Sequence, residues 1–344
     1  MAVGPLNAIT DVAGVGVGHC TIVEGESIRT GVTVVVPQVG AGPGASVFAA
    51  PHRLNGNGEM TGLEWVREIG QLTTPIAITN THSIGAVHEA LIAHQVRQRP
   101  NDDPFWALPV VAETWDGRLN DINGFHVRAR HVEQALANVS TTTVEEGCVG
   151  GGTGMVTFGF KAGIGTASRV TEGGHTVGVL VQSNFGRRER FTVDGVPVGR
   201  FIGPDEVPLP NEPAPAATPG EEAGSIIAIA ATDAPLLPHQ CARVAQRIAL
   251  GIARIGGAGG NSSGDLFLCF ATGNRLPAEQ VRTFDDSQID PLFNAVIEAT
   301  EESILNALIA AETMTGHRGV TVHALPHDRL LEVLRAGWSP LATS

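Results

Sequence analysis

The segment Asn261-Ser262-Ser263-Gly264-Asp265 combines residue types that could let the chain cleave itself. A cut between Asn261 and Ser262 would leave a serine at a new N-terminus. The hydroxyl of such a serine can act as the nucleophile, and its free α-amine, with a reference pKa of about 8, can act as the base near neutral pH. The glycines just before the segment allow the bent backbone that this reaction needs. An ordinary helix-to-strand turn of Gly, Asn and Ser is the alternative interpretation.

A hydroxyl and a carboxylate, those of Thr300 and Glu302, lie two positions apart in a helix predicted over residues 289–311. They could orient the ammonium group of an N-terminal serine. Positions two apart lie on different faces of a helix, so both could line a pocket only near a helix end or at a seam between layers. A solvated acidic helix face is the alternative interpretation.

Two further segments could bind substrate. Glu145 and Glu146 stand beside the glycine-rich run 147–154, where the backbone can approach a ligand and a carboxylate can bind an ammonium group. Asn184 follows a strand predicted over 175–182, and its amide could donate to an oxyanion, although a turn cap is an equal alternative. The glycine-rich runs lack the sequence context of a P-loop or a dinucleotide-binding turn.

The sequence contains no pattern of metal or cofactor ligands. There are twelve histidines but no HExxH, and His82, His88 and His94 recur every six residues, which spreads them around a helix. The four cysteines have no CxxC spacing, and a GxSxG nucleophile turn is missing. These patterns therefore argue against a metal site.

Composition limits the partners and the compartment. A formal net charge of −13 repels phosphate backbones, which argues against nucleic-acid binding and is compatible with cationic ligands such as free amines. The N-terminus lacks the pattern of a signal peptide, and no stretch reaches the roughly 18 apolar residues of a membrane span. The cysteine usage is compatible with a reducing cytosol, so we expect a cytoplasmic protein without a membrane partner.

Hydrophobic periodicity predicts strands and helices in mixed order, which suits sheets sandwiched between helical layers. We expect residues 1–344 to form a single domain, with the proline-rich stretch 203–224 as a surface loop. Strands are predicted over 14–23, 31–36, 46–50, 75–79, 108–113, 154–160, 175–182, 225–232, 265–272 and 318–325, and helices over 62–72, 83–97, 236–255, 289–311 and 327–336.

Ordered sequence blocks run along nearly the whole chain: ITDVAGVGVGH, PHRLNGNGEMTGLEWV, ITNTHSIGAVHEAL, VAETWDGRLND, EEGCVGGGTGM, GFKAGIGTASR, VGVLVQSNFG, ATDAPLLPHQ, NSSGDLFLCFATGN and ATEESILNAL. Together they resemble the self-processing aminopeptidase family that includes the L-aminopeptidase/D-amidase-esterases and the β-peptidyl aminopeptidases. The resemblance implies an α/β fold, a four-layer αββα sandwich like that of N-terminal-nucleophile hydrolases but with different connectivity. It also implies cleavage into residues 1–261 and 262–344, a homotetramer of such pairs, and no cofactor.

The resemblance implies roles for individual residues. Ser262 would be the nucleophile and its freed amine the base. The pair Thr300-x-Glu302 matches the family's Ser-x-Glu, with threonine in place of serine. One of Glu145 and Glu146 matches the acid that binds the free amino group of the substrate.

Three further assignments follow from the resemblance. Phe158 is a candidate substrate-binding residue at a position where some relatives carry a tyrosine, and this chain contains no tyrosine at all. Asn184 is the candidate for the oxyanion amide. A cut after Asn261 matches relatives cleaved after asparagine, which favours Ser262 over a cut one residue later, before Ser263.

These features predict a self-processed serine aminopeptidase or amidase. Its substrates would be short peptides, amino-acid amides or esters with a free amine, with β- and D-residues among the candidates. Two alternatives stay open: a non-catalytic, unprocessed binding or scaffold relative, and an aminoacyl transferase on the same fold.

Overall fold

The computed structural model describes residues 1–100, 103–211 and 223–337. Half of the predicted proline-rich loop, residues 212–222, lies outside the described residues. The strands are β1 (Gly16–Glu24), β2 (Ile28–Val36), β3 (Ser46–Arg53), β4 (Gln71–Leu72), β5 (Ile76–Asn80), β6 (Val110–Thr114), β7 (Val156–Thr157), β8 (Phe160–Lys161), β9 (Ile164–Val170), β10 (Thr176–Asn184), β11 (Ala223–Thr232), β12 (Ser262–Leu276), β13 (Met314–Thr315) and β14 (Thr321–Val322). The α-helices are α1 (Leu63–Ile69), α2 (Ile84–Arg97), α3 (Ala129–Ala137), α4 (Val198–Phe201), α5 (Pro238–Arg254), α6 (Asp290–Ile309) and α7 (His327–Gly337).

Two mixed sheets form the centre of the protein. The larger sheet has the strand order β4-β3-β12-β11-β10-β9, and the smaller sheet has the order β1-β2-β5-β6. Within these sheets the pairs β11–β12 and β5–β6 are parallel, and the other neighbours are antiparallel. The strand that follows the candidate cut, β12, therefore lies inside the larger sheet between β11 and β3.

The side chains of β12 show why its sequence is a continuous apolar run. Leu266 and Leu268 belong to the core between the two sheets. Phe267 and Cys269 belong to the core between the larger sheet and the helices. Because successive side chains point to opposite faces and both faces are buried, no polar alternation remains in the middle of the strand.

Helices cover the outer face of each sheet. α5 and α6 pack on the larger sheet, and α2 and α3 pack on the smaller one. The close contact between α5 and α6 depends on Gly251, where a Cβ would lie 2.6 Å from both Ile297 O and Thr300 Cβ. The layers are helix, sheet, sheet and helix, so the predicted four-layer αββα sandwich is confirmed. No helix in the described part of the chain has the length and apolar character needed to cross a membrane.

Several predicted elements have different bounds. β12 starts at Ser262 rather than at residue 265, because the polar residues before the apolar run already pair with β11. The strand predicted over 154–160 is split into β7 and β8, since Phe158 and Gly159 between them have φ values of 52° and 73°. The strand predicted over 318–325 is reduced to β14. The elements β9 and α3 were not predicted, because polar residues interrupt their hydrophobic patterns.

Candidate active site

A tight turn holds the candidate cleavage bond. The Ser263 N–H donates to Gly260 O over 3.0 Å, which closes a β-turn whose central peptide joins Asn261 to Ser262. The strand β12 begins at Ser262, opposite Ala223 of β11. The candidate bond therefore lies at the boundary between the turn and the strand.

Ser262 and Ser263 point to opposite sides of the larger sheet. Pairing with β11 has no bulge over this stretch, so Ser262 shares its side with Gly264 and Leu266, which face the smaller sheet. Ser263 faces the helices, is 3% exposed, and donates its Oγ to Asp265 Oδ1 over 2.7 Å. The hydroxyl of Ser263 is thus engaged in a buried hydrogen bond on the side of the sheet away from the candidate site.

A buried carboxylate lies beside the first residues of β12. Glu113 of β6 is 4% exposed; its Oε1 accepts the Glu59 N–H over 3.0 Å, and its Oε2 accepts the hydroxyl of Thr81. A Cβ at Gly58 would lie 3.2 Å from Glu113 Oε1 and 3.2 Å from Gly264 Cα, so this glycine lies between the carboxylate and β12. Burial raises the pKa of Glu113 above its usual value, against the opposing effect of its hydrogen bonds.

Glu113 was missed in the sequence, although it lies within the block VAETWDGRLND. The available signal was an acidic residue near the carboxyl end of a buried strand, β6, which pairs in parallel with β5. Buried carboxylates need specific partners, and the carboxyl ends of parallel strands are common ligand sites. Its partner Glu59 is 54 positions away, so local spacing could not bring the two together.

The structure does not bring Thr300 and Glu302 to Ser262. Thr300 is fully buried on the helix side of the larger sheet, where its Oγ1 donates to a carbonyl of its own helix over 2.7 Å. Glu302 forms an ion pair with Arg169 of β9. Through the pairing of β9 with β10, β10 with β11 and β11 with β12, Arg169 lies in line with Ala271. Ala271 is about 30 Å from Ser262 along β12. These positions argue against the predicted role of the pair in orienting the N-terminal amine.

Glu145 and Glu146 also lie away from the start of β12. Glu145 is exposed. Glu146 Oε1 accepts the N–H of Thr166 over 2.8 Å, and Thr166 belongs to β9, at the far edge of the larger sheet. Burial, together with the nearby charge of Glu302, raises the pKa of Glu146 to about 7. The structure therefore does not support the prediction that one of these two acids binds the substrate amine.

The raised pKa of Glu146 predicts a pH-dependent stability. The folded state favours the neutral carboxyl. The contribution of Glu146 to the free energy of unfolding is therefore complete below its usual pKa of 4.5 and is lost as the pH rises through about 7. Glu146→Gln should therefore raise the melting temperature by about 2–4 °C at pH 8 and have little effect at pH 4.5. Thermal unfolding at both pH values measures this, with Glu145→Gln as the exposed control. An equal shift at both pH values would contradict the interpretation.

Asn184 lies at the same end of the larger sheet as Ser262. It pairs with Ser225 of β11, which in turn pairs with Gly264. Its amide is already engaged, because Nδ2 donates to Trp115 O over 2.9 Å and Oδ1 accepts the Val156 N–H over 2.9 Å. Asn184 therefore anchors the chain after β6 in this state, and an oxyanion role would require release of Trp115 O.

Phe158 is part of the core and does not line a substrate pocket. Its side chain is fully buried, and its ring stacks on Phe191 at 4.9 Å and meets Phe185 edge-on at 5.2 Å. The Phe158 ring therefore contributes to core packing.

No group of three or more His, Cys, Asp or Glu side chains is arranged to hold a metal ion within residues 1–100, 103–211 and 223–337. A cavity of about 380 Å³ lies between residues 36–47, residues 72–75 and the end of α2. Ser46 in its wall pairs with Leu276, at the end of β12 opposite to Ser262. This cavity is therefore separate from the candidate active site.

A known protein family matches most of the chain. The model of peptidase family S58 matches residues 7–322. The chain belongs to peptidase family S58. This S58 peptidase is 45% identical to the beta-peptidyl aminopeptidase BapA of Sphingosinicella microcystinivorans, in an alignment that covers 96% of this chain and 88% of the relative.

Solved structures support the same assignment. A Burkholderia sp. beta-aminopeptidase superposes on the S58 peptidase with a TM-score of 0.89 at 50% identity, covering 98% of this chain and 96% of the other. The L-aminopeptidase D-Ala-esterase/amidase of Ochrobactrum anthropi, described as a prototype for the serine aminopeptidases and a variant of the Ntn hydrolase fold, gives 0.87 at 44% identity, covering 97% and 95%. The S58 peptidase is therefore a hydrolase of the peptidase and amidase class, with a variant of the N-terminal-nucleophile fold.

Proposed function

We propose that this S58 peptidase cleaves its own chain between Asn261 and Ser262 and then acts as an N-terminal-serine aminopeptidase. One observation carries the proposal. The candidate bond is the central peptide of a closed turn, and Ser262 is on the side of the sheet where Gly264 packs near the buried Glu113. The products would be residues 1–261 and 262–344.

Glu113 takes the role that the sequence suggested for Glu145 or Glu146. A substrate with a free amine would place its ammonium group against the Glu113 carboxylate and its first carbonyl at Ser262. His82 and Phe125, whose rings stack at 5.9 Å, form an exposed aromatic surface next to Thr81 for the substrate side chain. The names of the relatives make short α- and β-peptides, amino-acid amides and D-amino-acid esters the candidate substrates.

The chemistry then uses one residue twice. Ser262 Oγ attacks the substrate carbonyl while the α-amine of Ser262 accepts the hydroxyl proton. The same amine passes the proton to the leaving amine, and an ester between the acyl group and Ser262 remains. Water hydrolyses this ester and restores the hydroxyl. Asn184 is kept as a candidate donor to the oxyanion, on condition that its amide leaves Trp115 O.

Intact mass spectrometry and a matched substrate panel test this function. The purified protein should consist of two polypeptides that end and begin at Asn261 and Ser262. It should hydrolyse α-, β- or D-aminoacyl p-nitroanilides, and N-acetylation of the same substrate should lower kcat/KM by about 100-fold or more, because the neutral amide cannot pair with Glu113. A single uncut chain without turnover would instead indicate a non-catalytic scaffold. Transfer of the acyl group to an added amine, rather than to water, would indicate an aminoacyl transferase.

The processed pairs are expected to form a homotetramer in the cytoplasm. The family resemblance suggests the assembly. A reducing compartment is supported by the four cysteines, which are all free thiols: Cys20, Cys148, Cys241 and Cys269.

A further inference from the structure

The segment that follows β3 is fixed along the first residues of β12. The Asp265 N–H donates to Asn55 O over 3.2 Å, and the Asn57 N–H donates to Ser263 O over 3.3 Å. Gly264 allows this close approach, since a Cβ there would lie 2.4 Å from Asn57 O. The backbone of residues 55–57 therefore has a defined position relative to the candidate cleavage bond.

Two amide side chains of this segment hold carbonyl groups on either side of that bond. Asn55 Nδ2 donates to Gly260 O over 2.9 Å, and Asn57 Nδ2 donates to Ser262 O over 2.7 Å. The peptide that joins Asn261 to Ser262 lies between these two carbonyl groups. We propose that Asn55 and Asn57 are positioning residues for self-cleavage, an inference that rests on the proposed function.

The reaction shows why such positioning matters. The Oγ of Ser262 forms a bond to the carbonyl carbon of Asn261, the C–N bond breaks, and the hydroxyl proton moves to the nitrogen of Ser262. Water then hydrolyses the resulting ester, which leaves a carboxylate on Asn261 and restores the hydroxyl. A productive attack requires the hydroxyl to stay close to the preceding carbonyl in one orientation. Holding the carbonyls of residues 260 and 262 restricts rotation of the peptide plane between them.

The two contacts differ in what they do after the cut. Asn55 also donates to Asp265 Oδ2 over 3.3 Å, so it links the turn to the buried hydrogen bond of Ser263. Asn57 holds a carbonyl that stays with the smaller fragment, so it also keeps the new N-terminal serine in place. Both amides act on the groups that flank the reacting atoms, and neither touches the scissile carbonyl in these contacts.

The test is a time course of cleavage in the full-length chain, made by cell-free synthesis and followed by denaturing gel and intact mass. Asn55→Ala and Asn57→Ala should each slow cleavage by about 5-fold, and the double variant by about 25-fold, which corresponds to the loss of one neutral hydrogen bond at each position. Asn57→Gln keeps an amide donor at an exposed position and should be faster than Asn57→Ala. Asn274→Ala is the matched control, because Asn274 Nδ2 also donates to a backbone carbonyl, that of Arg282, at the other end of β12.

Each outcome has a distinct meaning. Slower cleavage of both variants, with a wild-type melting temperature and an unaffected control, supports the positioning role. Cleavage at the wild-type rate in folded Asn55→Ala and Asn57→Ala overturns it. If an alanine variant fails to fold, the serine variants at the same positions, which are too short to span these contacts, replace it in the comparison. A wild-type chain that is never cut would refute the proposed function itself, whereas a cut wild type with equally fast variants refutes only this inference.

Discussion

Ser262→Ala is expected to leave the chain uncut and to lower hydrolysis of free-amine substrates by about 10⁴-fold or more. The substitution removes the hydroxyl that attacks in both self-cleavage and turnover, and no new N-terminal amine is formed to act as base. Intact mass should give one species at the full-length value of 35.8 kDa. A p-nitroanilide assay on the same preparation measures the remaining turnover.

Ser263→Ala is the control for the cleavage register. The hydroxyl of Ser263 faces the helices and donates a hydrogen bond to Asp265. The variant should therefore still be cut between residues 261 and 262 and should keep most of its activity. The loss of this buried hydrogen bond should reduce stability by about 1 kcal/mol. If Ser263→Ala blocks the cut while Ser262→Ala does not, Ser263 is the nucleophile and the register moves by one residue.

Glu113→Gln is expected to lower kcat/KM for free-amine substrates by about 100-fold, equivalent to about 3 kcal/mol of transition-state binding. The amide has nearly the same shape but lacks the charge that pairs with the substrate ammonium. Burial raises the pKa of Glu113 above the usual value of a glutamate, and wild-type kcat/KM should decrease as the pH falls through this raised pKa. That decrease should be missing in Glu113→Gln. Steady-state kinetics across the acid range measures both effects.

Glu145→Gln tests which carboxylate binds the substrate amine: Glu113, as proposed from the structure, or Glu145, as suggested by the sequence. Glu145 is exposed and lies outside the contacts around β12, so this variant should keep wild-type kinetics and the wild-type pH profile. Self-cleavage should be complete in both variants, since the substrate amine takes no part in it. If Glu145→Gln loses most of its activity while Glu113→Gln keeps wild-type kinetics, the substrate amine binds at the acidic pair beside the glycine run and not at Glu113.

The fold was largely predictable from the sequence, because most central elements have strong local patterns. The apolar run after Asp265 and the long amphipathic pattern of α5 predict a buried strand beside a covering helix, and both are present. The ordered blocks predicted the family, which the comparisons confirm. Weak elements such as β9 could not be predicted, because small and polar residues obscure the alternation of apolar and polar side chains along the strand.

The surroundings of the nucleophile were less predictable, since they depend on contacts between distant segments. Glu113 comes next to β12 only because Gly58 lets two backbones approach each other, and no spacing rule encodes that contact. Thr300 had the right residue type, but helix packing against Gly251 directs its side chain into the helix layer. Residue type suggests which side chains could be catalytic, whereas the register of the strands determines which side chains lie on the same face of the sheet.

The position of β12 between β3 and β11 has a consequence for the severed protein. The fragment 262–344 would supply an inner strand whose neighbours on both sides belong to the other polypeptide. Separation would therefore require two ladders of backbone hydrogen bonds and two apolar cores to open at once, although only one covalent bond had been lost. The pair would melt as a single cooperative unit, and maturation would be irreversible in practice because neither piece could leave and fold alone.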